Sequence, residues 1–119
     1  GDLASAAGRM LEAVAMRAQR NLAIEALETL VAAEQYDKVE GVAASLPAGI
    51  RRLGRVKVLR TKALLETGKL SAAERILRGN IVLTDVREGE ISLSNLWFRL
   101  QELKHTDEPL PAHLDFRMH

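Results

Sequence analysis

Two clusters of charge hold the residues of this chain best suited to chemistry. Asp85, Arg87, Glu88 and Glu90 fall within six consecutive positions. Carboxylates grouped this way could complete an active site supplied by another domain, or dock that domain. The alternative is a salt-bridged corner that reverses the chain before a last helix. Exposed ion pairs contribute only ~0–1 kcal/mol each, so stability by itself would not demand so many charges. The second cluster is Arg51, Arg52, Arg55, Lys57, Arg60 and Lys62, a basic run without one acidic residue. On a helix Arg51, Arg55 and Lys62 share a face, which could hold an acidic peptide, a phosphate or a nucleic acid. The alternative is a solvated flank answering Glu25, Glu28, Glu34 and Glu40. No aromatic residue interleaves the run, so base stacking is unsupported and no nucleic-acid partner is expected.

Other chemistry has little to stand on. His105, His113 and His119 are 8 and 6 residues apart, which matches no helical metal pair. The chain has no cysteine to assist them. There is no Gly-rich phosphate loop and no nucleophile elbow. No catalytic residue, metal or cofactor is expected, and the segment in isolation reads as non-enzymatic.

These residues must be positioned by helices. The chain has 119 residues, 47% apolar and 28% charged, which is enough to bury a core in one domain. Its apolar residues are mostly Ala and Leu, both good helix formers, and aromatics are only 3%. A net charge of +1 favours neither nucleic acid nor a membrane surface. No apolar run approaches the roughly 20 residues needed to span a bilayer. No signal-peptide pattern opens the chain; the compartment stays open, with the cytoplasm as the expectation.

Apolar spacing predicts a helix to about Arg17, with Leu3, Ala6, Ala7, Met10, Leu11 and Val14 on one face. A separate helix is expected from Asn21, its cap, to Ala33, burying Leu22, Ala23, Ala26, Leu27 and Leu30. A short helix from Asp37 to about Ser45 follows, ended by Pro47 and Gly49. Further helices are expected from Ile50 or Gly54 to Thr67 and from Ser71 to Arg78, the last stopped by Gly79-Asn80. Ile81-Val82-Leu83 reads as a short extended run. Ser92 is expected to cap a last helix to Lys104, with Leu93, Leu96, Trp97 and Leu100 in the core. The tail from Thr106 is expected to be extended, because Pro109 and Pro111 exclude a helix.

One six-residue pattern recurs. Gly68-Lys69-Leu70-Ser71-Ala72-Ala73 matches Glu34-Gln35-Tyr36-Asp37-Lys38-Val39 and Gly1-Asp2-Leu3-Ala4-Ser5-Ala6, at spacings of 70 − 36 = 34 and 36 − 3 = 33. At an offset of 34 the pairs Leu22/Val56, Ile24/Val58, Leu30/Leu64, Val31/Leu65, Tyr36/Leu70, Val39/Ala73, Val42/Ile76 and Ala43/Leu77 are apolar on both sides. In this phase the first helix is the second half of a repeat whose first half is absent. Its face around Leu3, Met10, Leu11 and Val14 then lacks a partner, which predicts self-association as a homodimer through this helix.

A period of this length resembles the tetratricopeptide-repeat family. Ala63, Leu64, Gly68, Leu70, Ala73 and Leu77 match its small and large positions. The family's early aromatic and closing Pro are missing, and Glu34 replaces one turn Gly. The resemblance covers about residues 1–80. It implies an all-α fold: a right-handed α-solenoid of helical hairpins over residues 1–105, closed by a capping helix, with residues 106–119 as an extended tail. It also implies a concave binding face lined by first helices, here Asn21, Ile24, Glu28, Arg55, Val58 and Lys62. The expected function is non-catalytic contact with a protein or with an upstream domain of the same chain.

The segments Asp85-Val86-Arg87-Glu88-Gly89-Glu90, Leu93, Leu96-Trp97-Phe98 and Leu114-Asp115-Phe116-Arg117-Met118 resemble the C-terminal end of a group of large bacterial proteins. Those carry an uncharacterised domain upstream of tetratricopeptide repeats, and some are suspected of acting on carbohydrate. This implies the alternative of an accessory segment of a carbohydrate-active enzyme, with the chemistry in the upstream part.

Overall fold

The computed structural model describes residues 2–81 and 93–114, with side chains from residue 15 onward. Among the described residues every regular element is helical: α1 (Asp2–Ala32), α2 (Tyr36–Ala44), α3 (Ala48–Arg51), α4 (Gly54–Glu66), α5 (Leu70–Arg78), α6 (Leu93–Lys104) and a 3-10 turn (Ala112–Leu114). The all-α expectation holds.

The first two expected helices are one. α1 runs unbroken for 31 residues, and Asn21 lies in its interior instead of capping a start. The reason is local. From Arg17 to Asn21 there is no Gly or Pro, and Ala, Arg and Gln all favour continuing the helix. A capping side chain helps only where the helix already has to begin. Of the two expected starts of the next long helix, Ile50 and Gly54, the second is observed: α4 begins at Gly54, and a separate single turn, α3, precedes it with Arg52 and Leu53 between them.

Three helices end the same way. After α1 the amide N–H of Glu34 donates to the Val31 carbonyl (3.0 Å) and that of Gln35 to the Leu30 carbonyl (2.8 Å). After α4 Gly68 donates to Leu65 (3.2 Å) and Lys69 to Leu64 (2.8 Å). After α6 His105 donates to Glu102 (3.2 Å) and Thr106 to Gln101 (2.9 Å). Each is a Schellman closure, and each places one residue in the left-handed region: Glu34 at φ 57°, Gly68 at 78° and His105 at 57°. The first two closures coincide atom for atom at 68 − 34 = 34 residues, and the third follows at 105 − 68 = 37. Three-residue connections then turn α2 back along α1 and α5 back along α4, so each pair is a helical hairpin.

Helices pack on their near neighbours. α1 meets α2 and α4, α2 meets α4, α4 meets α5 and α6, and α5 meets α6. Thus α6 stands to the second hairpin as α4 stands to the first. α4 is the hub. It sends Val56, Leu59 and Ala63 into one apolar cluster with Leu27 and Val39. It sends Val58, Leu64 and Leu65 into another with Ala73, Leu77, Ile81, Leu96, Trp97 and Leu100.

The outer faces depart from this apolar rule. Thirty-four residues before Val56, Leu59 and Ala63 stand Leu22, Glu25 and Thr29, all exposed. Leu22 is 66% exposed while its counterpart Val56 is fully covered. Leu22 and Ala26 are therefore corrected from buried to exposed, because no helix lies on that side of α1 among the described residues. Thirty-seven residues after Val58 and Leu65 stand Asn95 and Glu102, also exposed. Four of these five exposed positions, Glu25, Thr29, Asn95 and Glu102, carry polar side chains, as suits surface that no described helix covers.

Residues 106–114 finish the far end. The Trp97 indole N–H donates to the Glu108 carbonyl at 3.0 Å. The Gln101 side-chain oxygen accepts from the Thr106 hydroxyl (2.5 Å) and the Glu108 amide (3.0 Å). His113 Nε2 donates to the Leu77 carbonyl at 2.9 Å, and Leu114 is buried beside Trp97's cluster. Residues 106–111 form neither helix nor strand, and a 3-10 turn then inserts Leu114.

Candidate functional site

The first-helix face is built by α1 and α4. Of its six expected residues, Asn21 is exposed, and Ile24, Glu28, Arg55 and Lys62 are half-buried. Val58 is buried in the second apolar cluster, unlike the other five. Its side chain is needed between the second hairpin and α6, and packing overrides its place in the repeat.

The charged members of the face mostly answer one another. Arg55 reaches across to Glu28, with Nε and Nη2 each 2.8 Å from Oε1, and so ties α4 to α1. Lys62 pairs with Glu66 at 3.0 Å along α4, and Glu66 lies 3.9 Å from Arg99 on α6. On the other flank Arg60 holds Glu40 of α2 through two hydrogen bonds of 2.8 and 3.1 Å, a fork-on-carboxylate arrangement that fixes direction as well as distance. Lys57 donates to the Asn80 carbonyl at 2.8 Å. Glu28 and Glu40 of the first hairpin thus answer Arg55 and Arg60, and four of the six basic residues of the run have intramolecular acceptors.

Sequence reading passed over Glu66 and Arg99, which extend this line of charge onto α6. Their partnership joins positions 33 residues apart, a separation that carries no signal in the sequence. A second set, also missed, lies at the closed end. Glu74 accepts from Lys104 and from Arg78 Nε (3.0 Å). Arg78 grips both Glu108 oxygens at 2.9 and 2.8 Å, and its guanidinium sits 5.1 Å from the centre of the Trp97 ring. The hydrogen bond from Lys104, then that from Arg78, holds the Glu74 carboxyl below the usual carboxylate range. The Arg78 guanidinium is raised in turn, first by Glu74 and then by Glu108.

Asp85, Arg87, Glu88 and Glu90 lie outside the described residues, as does the expected cap Ser92. The side chains of Leu3, Met10, Leu11 and Val14 also lie outside them. Among the described residues no group of three or more His, Asp or Glu converges as a metal site would require. No described helix is long and apolar enough to cross a membrane. No family model, curated protein or solved structure matches this chain.

Proposed function

We propose that this chain is a non-catalytic helical-repeat module of tetratricopeptide type, contacting another protein or an upstream domain of its own chain. The observation that carries the reading is the recurrence of one hairpin closure at a 34-residue interval, with the same carbonyls accepting in both copies. Equivalent closures stack equivalent hairpins, and stacked hairpins present a fixed surface. Ion pairs at the junctions support that rigidity: Arg55–Glu28 between α4 and α1, and Arg60–Glu40 between α4 and α2. With Val58 withdrawn into the core, the face available to a partner is Asn21, Ile24, Glu28, Arg55 and Lys62, and affinity would come from re-pairing those charges. The basic run is a structural flank in this reading, since most of it is already partnered.

The test is site-specific photocrosslinking in the full-length gene product. A photoreactive residue at Asn21 or Lys62 should capture a protein or upstream domain. The same residue at Ala44 or Arg75, exposed on the second helices, should not. Equal capture from both sets would overturn the reading, and so would glycoside hydrolysis by the isolated chain.

A further inference from the structure

Three side chains grip Glu108 at once. Its amide donates to Gln101 Oε1 at 3.0 Å, and its carbonyl accepts from the Trp97 indole N–H at 3.0 Å. Its two carboxylate oxygens accept from Arg78 Nη2 at 2.9 and 2.8 Å. Trp97 and Gln101 lie on α6, and Arg78 lies on α5. Backbone groups inside regular elements pair with other backbone groups. Here side chains take both backbone groups of a residue in irregular chain, and a third takes its carboxylate. That is how a groove holds an extended peptide. The apolar part of the grip follows: Leu110 packs against the cluster around Trp97, and Leu114 is buried in it.

The grip does not depend on what fills it. Arg78 turns Nε to Glu74 at 3.0 Å, and Lys104 donates to the same carboxylate. The guanidinium also rests 5.1 Å from the centre of the Trp97 ring. Glu74, Lys104 and Trp97 thus aim Arg78 Nη2 at an incoming carboxylate without help from residues 106–114. Closure of those residues over the groove carries costs of its own. His105, just before them, sits in the left-handed region at φ 57°. Gln101 is 4% exposed, and its Nε2 donor has no acceptor. The Arg78 and Glu108 side chains are each 44% exposed, so water weakens their attraction. Opening lets His105 relax and water reach Gln101, which keeps the closed segment exchangeable.

We propose that the face between α5 and α6 is a peptide-binding groove, that residues 106–114 occupy it in cis, and that an extended segment of a partner protein displaces them. The partner segment carries the same chemistry: a glutamate for Arg78, with leucines two and six residues after it. This groove is separate from the first-helix face and does not rest on that reading.

Trp97 is the only tryptophan, so its indole N–H gives one NMR signal that reports on the groove. Two variants of the full chain loosen the cis segment. Glu108→Lys sets a like charge against Arg78, and Leu114→Ala removes the buried leucine. A groove filled in cis binds an outside peptide only for the fraction of time that it is open. Each variant should therefore bind a labelled synthetic peptide of residues 106–114 roughly tenfold more tightly than the parent chain does. The indole signal should return toward its parent position as that peptide is added. The peptide carrying the Glu108→Lys change should bind Leu114→Ala roughly tenfold more weakly. Equal binding of the two peptides overturns the proposal. So does binding by both variants no tighter than by the parent while helix content is kept. A parent dimer in light scattering that Glu108→Lys abolishes also overturns it, since the occupant is then a second copy of the chain.

Discussion

Glu34 carries a conformation that its side chain disfavours. At φ 57° it occupies the left-handed region, as Gly68 does at 78° in the second hairpin. An L-residue there loses about 1–2 kcal/mol, while glycine loses little beyond its greater freedom when unfolded. Glu34→Gly should therefore stabilise the chain by about 1 kcal/mol, and Gly68→Ala should destabilise it by a similar amount. Nothing lies within 4 Å of a β-carbon built on Gly68, so that cost would be backbone alone. Urea melts check both signs, and two changes in the same direction would break the equivalence of the turns. Trp97 is a different case. It is fully buried and bonded through its indole N–H to the Glu108 carbonyl, so Trp97→Ala should cost about 3–5 kcal/mol in the same melts. A loss below about 1 kcal/mol would remove it from the core. Both residues were placed from sequence, but by different signals. Trp97 lay in a strong apolar stripe with Leu93, Leu96 and Leu100. Glu34 showed itself only through register, since its type argues against the turn it makes.

At the level of elements, α2, α4, α5 and α6 were legible because turn residues or changes of period bound them. The joining of the first two expected helices into α1 was not. Apolar periodicity marks which face a helix buries, and it carries little information where a helix is exposed all round, as α1 is from residue 15 to 22. The residues of the candidate face could be named from register, but not that Arg55 is engaged by Glu28 across 27 residues or that Val58 is buried in a cluster with α6. The closed end was legible as apolar packing alone. Its polar fastening joins Lys104 to Glu74 and Arg78 to Glu108, each across 30 residues. That fastening has a pH signature. The folded Glu74 carboxyl titrates below its unfolded range, so its stabilising contribution is complete above that range and is lost as pH falls from there through the lower folded value. Glu74→Gln should lower Tm at pH 7 and should lose less Tm than the parent between pH 7 and pH 3. An equal acid-induced loss in both proteins would show that the carboxylate contributes nothing there.

As a whole the chain is elongated, with extents of 62 × 34 × 24 Å, and its apolar interior is divided between two clusters that meet on α4. Among the described residues the main helix contacts join elements at most two apart, the single-turn connector α3 not counted. Each closure at Glu34, Gly68 and His105 is decided by carbonyls three to five residues upstream. Shape can therefore accrue in the order of synthesis: once α1 has reversed at Glu34, α2 can settle before α4 is complete, and α4 waits for nothing beyond it to make its first contacts. Chains whose contacts are this near in sequence reach their native state quickly, and a nascent one has little time in which its leucines are open to the wrong neighbour.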